Sequence, residues 1–193
     1  MEFAHGNIEK LLVGRLGESQ DFRDAVSIVR DNSEGNIFLV GGTVSRTLVS
    51  EIYGERRQGQ DFDFVVDVLH EDLKVPDGWE VTNHKFGNPT FKKGGIEVDV
   101  FPLSDQRHIK DNELEPTIEN FLEGVPFSIQ ALVFDVKRER LIGEDGIRAL
   151  MDRKFEVHNV ESAKDIAKRK GVSIDEVMMR KAVSMGFEVV LFG

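Results

Sequence analysis

With 193 residues, 40% of them apolar and 31% charged, the chain has the size and balance of one globular domain with a real core. The absence of cysteine excludes disulfides and thiolate metal sites, and a formal net charge of -10 argues against a partner held mainly by phosphate neutralisation. The opening "MEFAHGNIEK" has no basic stretch leading into an apolar one, and no apolar run approaches a membrane span, so a cytoplasmic protein without a membrane partner is expected.

Phe22, Ala25, Val26 and Val29 have the spacing of an amphipathic helix from Asp21 to about Arg30, which "NSEG" then breaks. "NIFLV" (36–40) reads as a short buried strand running straight into Gly41-Gly42. "TVSRTLVSEIY" follows as a helix with Val44, Leu48, Ile52 and Tyr53 on one face, and Gly54 with "ERRQGQ" forms a loop. The next segment, "DFDFVVD" (61–67), is a strand whose alternation sends Asp61, Asp63, Val65 and Asp67 to one face and Phe62, Phe64 and Val66 to the other. "WEVTN", "PTFKK" and "IEVDVF" are further strands, separated by the turns Gly87-Asn88-Pro89 and Gly94-Gly95. "TIENFLEG" reads as a short helix, "FSIQALVFDVKRERLIG" as a strand pair turning near Arg138, "GEDGIRALMD" as a helix and "KFEVHN" as a short strand. Helices at 161–170 and 174–185 follow, the second opened by the capping-box pair Ser173 and Glu176. The end "FEVVLFG" reads either as a final strand or as an exposed interface.

Aspartate is depleted in strands, and like charges on one face repel, so "DFDFVVD" carries a cost that wants a reason. A D-x-D pair on a strand is also a surface device that keeps an edge soluble. Asp99, in "IEVDVF", adds a third acid on a strand able to lie beside the first. Three carboxylates converging on one patch would be relieved by two Mg²⁺ ions, the arrangement that phosphoryl and nucleotidyl transfer require. Gly41-Gly42, between a strand and a helix, lets backbone approach a ligand and offers unpaired N–H groups to phosphates. Asp67 lies further along the same face and reads as a solvated strand end. The basic pairs and runs at Arg56–Arg57, Lys92–Lys93, Lys137–Arg140 and Lys168–Lys170 read as solvated surface. His5, His70, His84, His108 and His158 are isolated, and no Walker A, G-x-S-x-G or G-x-G-x-x-G pattern is present.

"LVGGTVSRTL", "DFDFVVD" and "IEVDVF", in this order, resemble the head of the polymerase-beta-like nucleotidyltransferases. More narrowly they are similar to the group of bacterial poly(A) polymerases and class II CCA-adding tRNA nucleotidyltransferases. That group carries Gly-Gly-x-Val-Arg-Asp, then D-x-D, then a third Asp on a later strand. "FSIQALVFD" resembles its Phe-Thr-Ile-Asn-Ala-Leu segment and "RKAVSMGFEV" its Arg-Phe-Ala-Ala-Arg-Leu-Gly-Phe-Glu-Ile, so the resemblance runs from about Asn36 to Val189. The chain departs from the pattern at Ser45-Arg46, where the group has Arg-Asp. It departs again at Gly124-Val125-Pro126, where the group has Arg-Arg-Asp, and at "IDEVMM" in place of an Arg-rich lead. In the group a neck, body and tail follow, which hold the base-reading helices and most of the tRNA surface. Those segments are not expected within this sequence.

The resemblance implies an α+β nucleotidyltransferase fold: a small mixed or antiparallel sheet flanked by helices, with a head over 1–160 and a helical appendage over 161–193. It implies catalytic and metal-binding roles for Asp61, Asp63 and Asp99, with two Mg²⁺ ions that Mn²⁺ can replace. Gly41 and Gly42 would hold nucleotide phosphates, with Ser45 or Arg46 adding a contact from the first helical turn. The implied reaction moves a nucleoside monophosphate from an NTP to a hydroxyl acceptor, with release of pyrophosphate. The acceptor could be RNA, although charge does not argue for it, and an oligomer or partner subunit stays open. The competing expectation is a non-catalytic nucleotide-sensing or partner-binding module that kept the fold.

Overall fold

The computed structural model describes residues 5–54, 61–83 and 87–191; Arg56, Arg57 and His84 lie outside them. Two helices open the chain, α1 (His5–Glu18) and α2 (Gln20–Asp31). Strand β1 (Ser33–Val40), helix α3 (Gly42–Tyr53) and strand β2 (Asp61–Leu69) follow. Next come β3 (Glu80–Asn83), β4 (Pro89–Lys93) and β5 (Ile96–Pro102), then two short helices, α4 (Arg107–Asp111) and α5 (Ile118–Glu123). Strands β6 (Val133–Asp135) and β7 (Arg140–Ile142), helix α6 (Glu144–Asp152) and strand β8 (Lys154–Phe155) lead into α7 (Val160–Lys170), α8 (Ile174–Met185) and β9 (Glu188–Val189).

Seven strands make one mixed sheet in the order β3-β4-β5-β2-β1-β6-β7. Strand β2 sits near its middle, antiparallel to β1 and parallel to β5. Alternation then decides the packing. Phe62, Phe64 and Val66 of β2, with Ile37, Leu39, Val98 and Val100, bury one face under α1, α2 and α3. Phe62 and Phe64 meet Phe22 of α2 with ring centroids 6.0 and 6.5 Å away. Each such ring contributes about 1.5–3 kcal/mol through burial, enough to anchor a strand that carries three acids on its other side. On the opposite face Phe38, Val40, Val65 and Val133 pack under Leu103, Ile109 and Ile118, the last two from α4 and α5. The mixed α and β fold with a central sheet is therefore the one expected.

Several elements differ from the sequence reading. Helix α1 was not expected: its buried residues, Ile8, Leu12 and Leu16, form a single thin stripe interrupted by Gly6, Gly14 and Gly17. The stripe acquires its meaning only by packing on α2 and α3. "NSEG" breaks α2 as expected, with Asn32 as its C-cap, and from Ser33 it also enters β1, whose pairing with β2 shifts register between Glu34 and Ile37. Gly35 makes this bulge at φ +85, and a Cβ there would run into the Asp67 carboxylate. The first residues of "FSIQALVFD" form a 3-10 turn, Ser128–Gln130, before β6 starts. The Ser173 hydroxyl accepts from the Glu176 amide at 3.1 Å, as the capping box requires. Of the two readings of the last segment, the strand holds for Glu188–Val189, which pairs in parallel with β8, while Leu191 remains 63% exposed. Buried residues of α7 and α8, among them Ala163, Ala167, Met178 and Ala182, join the same continuous core as the sheet. Among the described residues no helix is long and apolar enough to cross a membrane.

Candidate active site

The parallel pairing of β2 with β5 sets Asp63 beside Asp99 and Asp61 beside Glu97. Residues directly paired on neighbouring strands point to the same face, so the register alone gathers four acids on one patch. The Thr90 hydroxyl of β4 donates to Asp99 Oδ1, which aims that carboxylate. Glu97 is bridged by Lys92 at 2.8 Å, also across the β4–β5 pair. Thr43, at the start of α3, donates through its hydroxyl to the Asp61 carbonyl at 2.5 Å and ties the glycine turn to the acidic strand.

Strand β1 ends opposite this patch, with Val40 paired to Asp63. Gly41 follows with φ +74 and ψ -149, a conformation an L side chain rarely adopts, and serves as the N-cap of α3 without a side-chain capping bond. A Cβ on Gly41 would lie 2.7 Å from Asp63 Oδ2, so the bare backbone lets the carboxylate stand against the helix N-terminus. At Gly42 a Cβ would meet the Arg46 guanidinium at 2.5 Å, because Arg46 folds back over the turn. The two residues named for a phosphate contact part company here. Ser45 is buried and its hydroxyl donates to the Gly42 carbonyl at 3.3 Å, whereas Arg46 Nε is buried with no hydrogen-bond partner.

Burial pushes the Asp63 carboxyl up to about 6, aided by the charges of Asp99, Asp61 and Glu97 and opposed by Arg46. The hydrogen bond and charge of Glu97 raise Lys92 in turn. A carboxylate crowded by three others asks for a cation, and oxygen donors are those that hard divalent ions take. The donor chemistry thus fits such an ion. Among the described residues no three or more His, Cys, Asp or Glu side chains are gathered as a ligating cluster. The acids are brought together as register and as charge, not as a closed shell.

Asp67 is not a solvated strand end. Its Oδ2 accepts from the Asn36 amide at 2.7 Å and from Asn36 Nδ2 at 2.8 Å. Asn36 Oδ1 in turn accepts from Arg138, which also binds the fully buried Asp135 at 2.8 Å. This network lines a cavity of about 590 Å³ at the far end of the same sheet face, away from Asp63. No local pattern marks Thr43 and Thr90, because which hydroxyl meets an acidic strand is set by the docking of α3 and by the β4–β5 register. Lys181, on α8, was also passed over, although it interacts electrostatically with both Asp63 and Arg46.

No protein-family model matches the chain, and no curated protein does. Solved structures do. A CCA-adding enzyme with CTP matches with a TM-score of 0.58 at 23% identity, over 84% of this chain and 39% of the other. The Thermotoga maritima CCA-adding enzyme complexed with tRNA matches with a TM-score of 0.61 at 19% identity, over 95% and 42%. The Bacillus stearothermophilus CCA-adding enzyme in complex with CTP matches with a TM-score of 0.57 at 21% identity, over 89% and 41%. The chain thus has a nucleotidyltransferase fold and spans about two-fifths of the length of these proteins.

Proposed function

We propose that this chain, whose fold is that of the CCA-adding enzymes, is itself a nucleotidyltransferase acting through the patch around Asp63. The observation that carries the reading is the crowding of Asp63 against Asp99, Asp61 and Glu97 beside an uncapped helix N-terminus. A carboxylate cluster and a phosphate-accepting backbone turn in contact are the two halves of a site for a metal-bound triphosphate. The related CCA-adding enzymes with CTP, with ATP and with tRNA support an NTP as substrate.

Asp61, Asp63 and Asp99 would hold Mg²⁺, as two ions, with Mn²⁺ as a substitute. Bound there, the metal supplies charge neutralisation of the phosphates and acidifies an acceptor hydroxyl. The chain's own residues do the rest. Gly41 and Gly42 hold the triphosphate by backbone N–H groups, and the absence of a Cβ at Gly41 keeps the phosphates within reach of Asp63. Arg46, with an unpaired Nε against the same turn, adds a cationic contact, while Ser45 shapes the turn from beneath. Thr90 keeps Asp99 pointed at the patch. The products are an acceptor extended by one nucleoside monophosphate, and pyrophosphate. The part that does this is the head, about 1–160, with 161–193 attached to it, in the cytoplasm. RNA is one acceptor class among hydroxyl compounds, and the net charge of -10 does not favour it.

The test is incubation with each labelled NTP, Mg²⁺ or Mn²⁺, and a panel of acceptors that includes tRNA and the protein itself. Label transfer that disappears in Asp61→Ala and Asp63→Ala supports the transferase. Nucleotide binding without transfer across the whole panel would overturn it in favour of a nucleotide-sensing module.

A further inference from the structure

Helix α8 carries a charge where its own periodicity calls for an apolar residue. Ile174, Val177, Met178, Lys181, Ala182 and Met185 follow the i, i+3, i+4, i+7 spacing of one helical face. Val177, Met178, Ala182 and Met185 are buried, and Lys181 stands among them partly buried. An ammonium on such a stripe is normally matched by a carboxylate. Among the described residues Lys181 Nζ has no ion pair and no hydrogen bond, and lies 6.0 Å from the centroid of the Phe127 ring. Burial lowers its pKa, the positive charges of Lys170 and Arg46 lower it further, and only Asp63 acts the other way.

Two cations from distant parts of the chain therefore share the field of Asp63, and among the described residues neither is held in an ion pair. Arg46 comes from the glycine turn with an orphaned buried Nε, and Lys181 comes from the C-terminal helix. The turn that begins at Ser128, just after the Phe127 ring under Lys181, packs against α3, which carries Arg46. One orphaned donor, Arg46 Nε, and the unpaired Lys181 ammonium on one side, and crowded carboxylates on the other, describe the two ends of a polyanion bound through metal at one end and directly at the other. The sequence around Phe127 agrees. The resembling group has Arg-Arg-Asp immediately before this phenylalanine, the present chain has Gly124-Val125-Pro126, and Lys181 restores a positive charge over the same ring.

We propose that Lys181 is a phosphate-binding residue of the nucleotide site, so that α8 completes the site rather than merely covering it. This rests on the nucleotide reading above. It adds that the C-terminal helix is required for recognition of the phosphate chain, and that the contact is made by a residue the group pattern does not carry.

The experiment is titration of the full chain, and of Lys181→Met and Lys181→Arg, with inorganic tripolyphosphate and a non-hydrolysable ATP analogue in Mg²⁺. The methionine variant is expected to weaken both ligands by about tenfold, the loss of one charge-assisted hydrogen bond, with an unchanged or raised melting temperature. Arginine at this position should bind within about threefold of the wild type, because the charge is kept. In the wild-type protein, tripolyphosphate should also protect Lys181 from an amine-acylating reagent, read by peptide mass spectrometry. Equal affinity of the methionine variant and the wild type, or undiminished acylation with the ligand bound, would overturn the role of Lys181 while leaving the nucleotide reading intact. Failure of the wild type to bind either ligand would overturn both.

Discussion

Gly41 and Asp63 are in such close opposition that a single methyl group on the first would lie 2.7 Å from a carboxylate oxygen of the second. The glycine is needed twice, for its φ of +74 and for the space. Gly41→Ala should lower stability by about 1–3 kcal/mol and abolish nucleotide binding, measured by thermal melting and analogue titration. Gly42→Ala presses first on the flexible far end of the Arg46 side chain, not on backbone, so it should fold normally and weaken phosphate binding alone.

Asp63, pushed up to about 6, makes metal-free stability depend on pH in a defined direction. Below about pH 4 the carboxyl is protonated in folded and unfolded chains alike and carries no penalty. As pH rises from about 4 to 6 the unfolded chain ionises first, so this group's contribution to stability is lost through that window. The loss reaches about 3 kcal/mol for a shift of two units. Asp63→Asn should flatten this limb and stabilise the metal-free protein at pH 7. Mg²⁺ should stabilise the wild type and not the variant, and transfer should be abolished. Denaturant unfolding at a series of pH values reads all but the last.

Thr90 is buried, and its hydroxyl is committed to Asp99. Thr90→Val keeps the shape and removes the donor. Transfer activity should fall about tenfold with a higher Mg²⁺ requirement, because one carboxylate loses its aim. The melting temperature should change little, which separates a loss of aim from a loss of fold.

Asp67 holds the bulge of β1 through two bonds from Asn36. Asp67→Ala should cost about 1–3 kcal/mol of stability, since it leaves the Asn36 amide without its acceptor. Nucleotide and Mg²⁺ affinity should stay at wild-type values. A specific loss of Mg²⁺ affinity instead would place Asp67 among the ligands and overturn its structural role.

Strand alternation in "DFDFVVD" was enough to place Phe62 and Phe64 on one side and Asp61 and Asp63 on the other, because side-chain direction in a strand is a local property. The same is true of the α3 stripe and the capping box at Ser173. Ser45 and Arg46 could not be told apart in this way. Both begin the same helix, and only packing decides that one hydroxyl turns to Gly42 while the guanidinium folds back over the turn. Helix α1 was invisible for a related reason, as Ile8, Leu12 and Leu16 make too thin a stripe to declare a helix before its partners are known.

By itself the sequence determined which residues are acidic, which face of each strand they occupy, and that two glycines separate a strand from a helix. These follow from periodicity and from the few residues that allow a tight turn. Only the tertiary structure decided that Asp63 and Asp99 are neighbours, that Asp67 belongs to a strut and that Lys181, from the C-terminal helix, lies over the Phe127 ring and feels the charge of Asp63. The reason is that parallel pairing of β2 with β5, and docking of α8 beside the Phe127 turn, bring together segments far apart in sequence. That juxtaposition depends on burying both faces of the sheet at once, and no local pattern of residues encodes it.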